Sequence, residues 1–127
     1  MIPATLQRII EHFGLTLADF GFRPNQAVSL RELESAVKTR PGAGMILSAA
    51  QVACAIGGMG DEDFSGTPCN IAVNVLDLTR NTRRAREGYR HDDAHDAADH
   101  AIAVAALVAT DRMNPKLLTA LLCRVKA

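Results

Sequence analysis

Residues Glu87 to His100, EGYRHDDAHDAADH, hold three of the chain's four histidines together with four aspartates. Imidazole nitrogens beside carboxylate oxygens form a mixed donor set that suits Mg, Mn or Zn. On an α-helix starting near Asp92, a turn of about 100° per residue places Asp92, His95 and Asp99 along one stripe and Asp93, Asp96 and His100 along a second. The first stripe is the candidate metal set. A divalent ion held there would lower the pKa of a bound water. His91 and His100 are then the candidate catalytic proton carriers, and Arg83, Arg84 and Arg90, just upstream, are candidates for binding phosphate or a partner. The chemistry this describes is metal-dependent hydrolysis of a phosphoester or a nucleotide.

A structural role accounts for the same residues. Asp92 or Asp93 can cap the helix, and Asp96 in its first turn favours the positive end of the macrodipole. The apolar face is expected on Ala94, Ala97, Ala98, Ala101, Ala105 and Val108, opposite the centre of the acidic surface, which leaves Asp92, Asp96 and Asp99 in water unless another helix covers them. Asn70, Asn74, Asp77 and Asn81, at spacings of four, three and four, form a polar stripe that can supply such a cover.

The elements that must position these groups read as helices. From Pro3 to Phe13, Leu6, Ile9, Ile10 and Phe13 fall at helical spacing, and Gly14 stands as a stop. Leu15 to Val28 is an irregular connector held by its aromatics. Ser29 with Glu32 is a capping box ahead of a second helix carrying Leu30, Leu33, Ala36 and Val37, which Arg40-Pro41-Gly42 ends. Met45 to Ile56, small and apolar almost throughout, predicts a central helix buried on most sides. These two helices have the layout of a helix-turn-helix, yet no cluster of Arg, Lys, Asn or Gln faces outward from the second, so DNA reading is not expected.

Gly57 to Pro68 is a loop. Asp61, Asp63, Ser65 and Gly66 match the opening of a calcium-binding loop, but its twelfth position is Ala72 instead of the bidentate Glu, which leaves an acidic surface loop with Phe64 turned inward. A helix is expected from about Cys69 to Arg86, broken at Gly88. After the cluster, Ala101 to Thr110 continues as helix. Asn114-Pro115 caps a last helix with Leu117, Leu118, Leu121, Leu122 and Val125 on its apolar side.

The expected fold is all-α: one compact domain, residues 1–127, of five or six helices. A 127-residue chain that is 48% apolar, with 4% aromatic residues, supports one core built from closely packed small and unbranched side chains. The formal net charge of zero gives no call for nucleic acid or an anionic membrane. The basic run Arg80 to Arg90 lacks stacking aromatics other than Tyr89 and is followed directly by acids, so nucleic acid is not the expected partner. Cys54, Cys69 and Cys123 contain no CxxC pair, and no leader or apolar span is visible, which fits a cytoplasmic protein.

Gly88, Tyr89, His91, Asp92, Asp93, His95, Asp99 and Ala101, within REGYRHDDAHDAADHAIAVAALVA, resemble a motif of small, functionally uncharacterised phage and prophage proteins, in which an Arg-rich helix leads into a Gly-aromatic step, HDD-x-H and an Ala-rich helix. The chain departs from that pattern at Ala98-Asp99-His100-Ala101, where the family has Gly-Glu-Leu-Ala, and at Thr79, where it has an acid. The resemblance spans about twenty-five residues. It implies a phage or mobile-element origin and a histidine-carboxylate site, without an established activity. All-helical nucleotide pyrophosphohydrolases offer an analogy for the metal reading, although their Glu-x-x-Glu pairs are missing from this chain. The alternative is a non-catalytic phage-type binding protein or inhibitor that docks on a host defence or nucleic-acid-handling complex through its charge blocks. A homo-oligomer is also compatible with the sequence.

Overall fold

A computed structural model describes residues 3–23, 26–37, 44–87 and 93–126; for residues 3–4, 30, 37, 86–87, 93–95 and 124–126 only the backbone is described. The described residues form six α-helices and no strand: α1 Pro3–His12, α2 Leu30–Val37, α3 Gly44–Gly57, α4 Pro68–Glu87, α5 Asp93–Ala109 and α6 Pro115–Lys126. Their buried side chains make a single cluster running from Leu6 on α1 to Leu121 on α6. The expected all-α bundle is what the chain forms.

Local chemistry explains the helix ends. At the close of α1, Gly14 adopts φ +77°, its N–H donates to the Glu11 carbonyl at 2.9 Å, and the Leu15 N–H donates to the Ile10 carbonyl at 3.0 Å. This is a Schellman closure, and it turns the chain so that the next residues return to the core. Asp111 closes α5 in the same way at φ 58°, with the Arg112 N–H on the Leu107 carbonyl at 2.9 Å. Ser29 caps α2 as expected: the Glu32 N–H donates to Ser29 Oγ at 3.1 Å, and Ser29 Oγ donates to Glu32 Oε1 at 3.2 Å. Asn114 accepts from the Leu117 N–H at 2.9 Å through Oδ1, with Pro115 at the first helical position. Replacing Asn114 with Ala removes that acceptor and should cost about 1 kcal/mol of stability in a denaturant titration.

The connector after α1 holds one turn of 3₁₀ helix, Leu17–Phe20. Its main anchor is Leu17, which is buried, while Phe20 and Phe22 stack beside it with ring centroids 6.5 Å apart. A second 3₁₀ turn, Asp61–Phe64, forms the acidic loop. Phe64 is partly buried there under the guanidinium of Arg112, 4.6 Å from the ring centre, and Arg112 Nη2 also donates to Asp61 Oδ1 at 2.8 Å. The Arg40-Pro41-Gly42 stop and Gly88 lie outside the described residues.

The packing centres on α3 and α5, which contact each other more than any other pair, while α5 also touches α1, α4 and α6. Helix α3 is buried on most of its circumference by Ile46, Leu47, Ser48, Ala49, Ala50, Val52, Ala53 and Ile56, as its composition predicts. Among its described side chains, helix α6 turns Leu117, Ala120 and Leu121 inward; Leu118 and Leu122, expected on its apolar side, are more than one-third exposed, and the Val125 side chain lies outside the described residues. No helix among the described residues is long and apolar enough to cross a membrane. Cys54, Cys69 and Cys123 are free thiols on the surface.

Candidate functional site

Two helices position the acid-base cluster. Along α4, Ala72, Leu76, Thr79 and Arg83 recur at four, three and four residues and define the buried stripe. Thr79 fits inside it because its Oγ1 donates to the Val75 carbonyl at 2.8 Å, so no polar group is orphaned. Arg83 continues the stripe at the end of α4. Its aliphatic stem extends the apolar face, and its guanidinium needs a counterion. The polar stripe Asn70, Asn74, Asp77 and Asn81 faces solvent. The idea that it covers the acids of α5 is therefore corrected: the inward side of α4 does that work.

On α5 the inward face is also displaced from the expected one. Asp99 is fully buried, and the same side carries Ile102, Ala103 and Ala106 into the core, all with no exposure. Ala97 and Val108, expected to face inward, are exposed. Counting alanines misplaced the face, because Ala packs acceptably on either side of a helix, whereas Ile102 and Leu107 gain far more from burial and decide the orientation. Asp99 follows them inward because α4 brings a cation to it. Arg83 Nη1 donates to Asp99 Oδ1 at 2.6 Å, a charge-assisted bond between side chains that are 9% and 0% exposed.

Arg80, three residues before Arg83, completes the cluster. Its Nε lies 3.6 Å from Asp99 Oδ2, and its Nη1 lies 3.7 Å from Asp77 Oδ1. At that separation Arg80 contributes charge to Asp99 without a hydrogen bond; Arg80 Nε and Asp99 Oδ2 make none among the described residues. The described geometry holds a strong bond from Arg83 to Asp99, supported by a second guanidinium shared between a buried and an exposed aspartate.

Of the candidate residues, the fold brings Arg83 and Asp99 together. Arg84 is exposed on the outer side of α4, and His100 is partly buried one turn along α5 from the partly buried Asp96. Arg90, His91 and Asp92 lie outside the described residues, as does the side chain of His95. Among the described residues no three His, Cys, Asp or Glu side chains gather into a group that could hold a metal ion. Sequence reasoning did not assign Arg80 or Thr79 to the cluster. The usable signal was the 72, 76, 79, 83 periodicity, which points Arg83 inward and demands an acid opposite it.

Compared with protein-family models, curated proteins and solved structures, the chain matches none. Its function must be argued from the cluster and the surface.

Proposed function

We propose that this chain is a non-catalytic binding protein, of the phage or mobile-element type that its sequence motif resembles, and that it docks on a host protein complex through its charged surface. The observation that supports this reading is the inward closure of the Arg83–Asp99 pair. A carboxylate with no exposure, bonded to one guanidinium and faced by another, fastens α4 to α5. Arg83 is correspondingly buried, with its charge matched inside the protein, so it is withdrawn from phosphate binding. Charges of both signs are exposed, among them Glu62 and Asp63 on the acidic turn and Arg84 on α4. Surface charges of both signs set the orientation and rate of docking more than its strength.

The test is a pull-down from bacterial host lysate with wild-type protein, Arg84→Glu and Glu62→Lys, each checked for retained helicity. Both positions are exposed, so neither change should disturb the core. A partner captured by the wild type and lost with one of the charge variants supports the reading, while equal capture by all three overturns it. Arg83→Glu is unsuitable because it would set a second buried carboxylate against Asp99.

The metal-dependent phosphoester or nucleotide hydrolase is kept as a second reading by the position of Asp96 and His100, partly buried one turn apart on α5 and continuing the helix that carries His95. Untagged protein that carries one equivalent of Mg, Mn or Zn, and loses it in His95→Ala with folding intact, would favour that reading; metal-free protein whose melting is unmoved by added Mn²⁺ or Zn²⁺ would remove it.

A further inference from the structure

Helices α2, α3 and α4 border an open cleft of about 500 Å³ lined, among the described residues, by Glu34, Gln51, Thr82 and Ala85. This volume falls within the range of small-ligand sites, about 300–1,000 Å³. The lining is chemically one-sided. Glu34 contributes a carboxylate, and Gln51 contributes an amide from a helix otherwise made almost wholly of small and apolar residues. Thr82 Oγ1 already donates its proton to the Leu78 carbonyl at 2.9 Å, which leaves that oxygen as an acceptor. Neither Glu34 nor Gln51 has a hydrogen-bond or ion-pair partner among the described residues. Among the described residues that line the cleft there is no cation. Three acceptor groups from three helices, one of them an anionic carboxylate, call for a ligand group rich in N–H donors and positively charged.

We propose that this cleft binds a guanidinium or primary ammonium group. A guanidinium matches best, since its planar fork can donate two parallel bonds to the Glu34 carboxylate and still hold N–H groups for the Gln51 carbonyl and Thr82 Oγ1. The methyl of Ala85 gives an apolar wall for the carbon chain that carries the cation. The group can arrive on a protein side chain or on a free polyamine. This inference does not depend on the docking function proposed above.

The experiment is a titration of the full chain, isotope-labelled for amide NMR, with two probes: N-acetyl-arginine amide and spermidine. Saturable shifts at the Gln51 side-chain amide and the Thr82 and Ala85 backbone amides are expected, with binding weakened about tenfold or more in Glu34→Gln. Glu34 is exposed, so the variant's spectrum should otherwise overlay the wild type and certify its fold. Tighter binding of the arginine probe identifies a protein side chain as the ligand source, and tighter binding of spermidine identifies a polyamine. Absence of saturable shifts with both probes, or identical titrations of wild type and Glu34→Gln, overturns the proposal.

Discussion

Asp99→Ala is expected to lower the stability of the protein by about 3–5 kcal/mol, the cost of removing one member of a buried ion pair. For a chain of this size that corresponds to a fall of roughly 10–20 °C in melting temperature. The cause is the environment of Arg83. Asp99 gives the Arg83 guanidinium a 2.6 Å bond inside the α4–α5 contact, and Asp99→Ala takes that bond from a side chain only 9% exposed. Arg80 adds to the loss, because among the described residues its remaining counterion is the exposed Asp77. A domain of ordinary stability has about 5–15 kcal/mol to lose, so Asp99→Ala should retain helices but melt early. Thermal unfolding by circular dichroism in the presence of EDTA is the measurement. A melting temperature within a degree or two of wild type would mean that the pair does not hold α4 to α5.

The companion experiment separates the pair from its parts. Replacing both partners with apolar side chains of similar length, Arg83→Met with Asp99→Leu, removes the attraction and both desolvation costs together. Such replacements of buried pairs are often neutral or stabilising. The double variant should therefore melt well above Asp99→Ala. If it also keeps the partner captured in pull-down, the acid-base pair serves architecture; if it loses the partner while keeping its fold, the charges themselves take part in recognition.

How far the sequence leads can be read from particular elements. Six helices, the Ser29–Glu32 box, the Asn114 cap, the Gly14 stop and the buried α3 follow from short-range chemistry, because capping and periodicity depend on residues within a turn or two of each other. The inward side of α5 was not legible in the same way. Five alanines and Val108 outline one plausible apolar face, and an aspartate on the far side looks as though it belongs in water. What reverses this is a long-range fact: Arg83, sixteen residues earlier on a separate helix, arrives opposite Asp99. The periodicity of α4 points Arg83 inward, but nothing on α5 alone says which acid meets it, so the pairing is among the features that a single sequence conceals. The α6 leucines fail for a related reason. Leu118 and Leu122 share the hydrophobicity of Leu117 and Leu121, and the positions of α4 and α5 decide which pair is covered.

The orientation of α5 gives the second large expected effect. Ile102 is fully buried, and Ile102→Ala should cost about 2–5 kcal/mol through lost transfer energy and the cavity left behind. Val108, 40% exposed, should tolerate Val108→Ala at about 0.5 kcal/mol or less. Enlarging alanines sharpens the contrast, since it separates two residues of one type that the sequence cannot tell apart. Ala106 has no exposure, so Ala106→Leu must force neighbouring side chains out of their preferred rotamers at a cost of about 1–3 kcal/mol. Ala97 is exposed, so Ala97→Leu adds a side chain to the surface and should leave stability within about 0.5 kcal/mol of wild type. Urea titrations of the four variants decide the matter. Were α5 turned with its alanine face inward, Ala97→Leu and Val108→Ala would be the costly changes, Ile102→Ala and Ala106→Leu the mild ones, and Asp99 would sit in water where its removal costs almost nothing. The side of α5 that meets the core and the strength of the Arg83–Asp99 pair are thus one question measured twice. Agreement between the α5 series and Asp99→Ala would tie the acid at the centre of the sequence's densest cluster to the packing of the bundle.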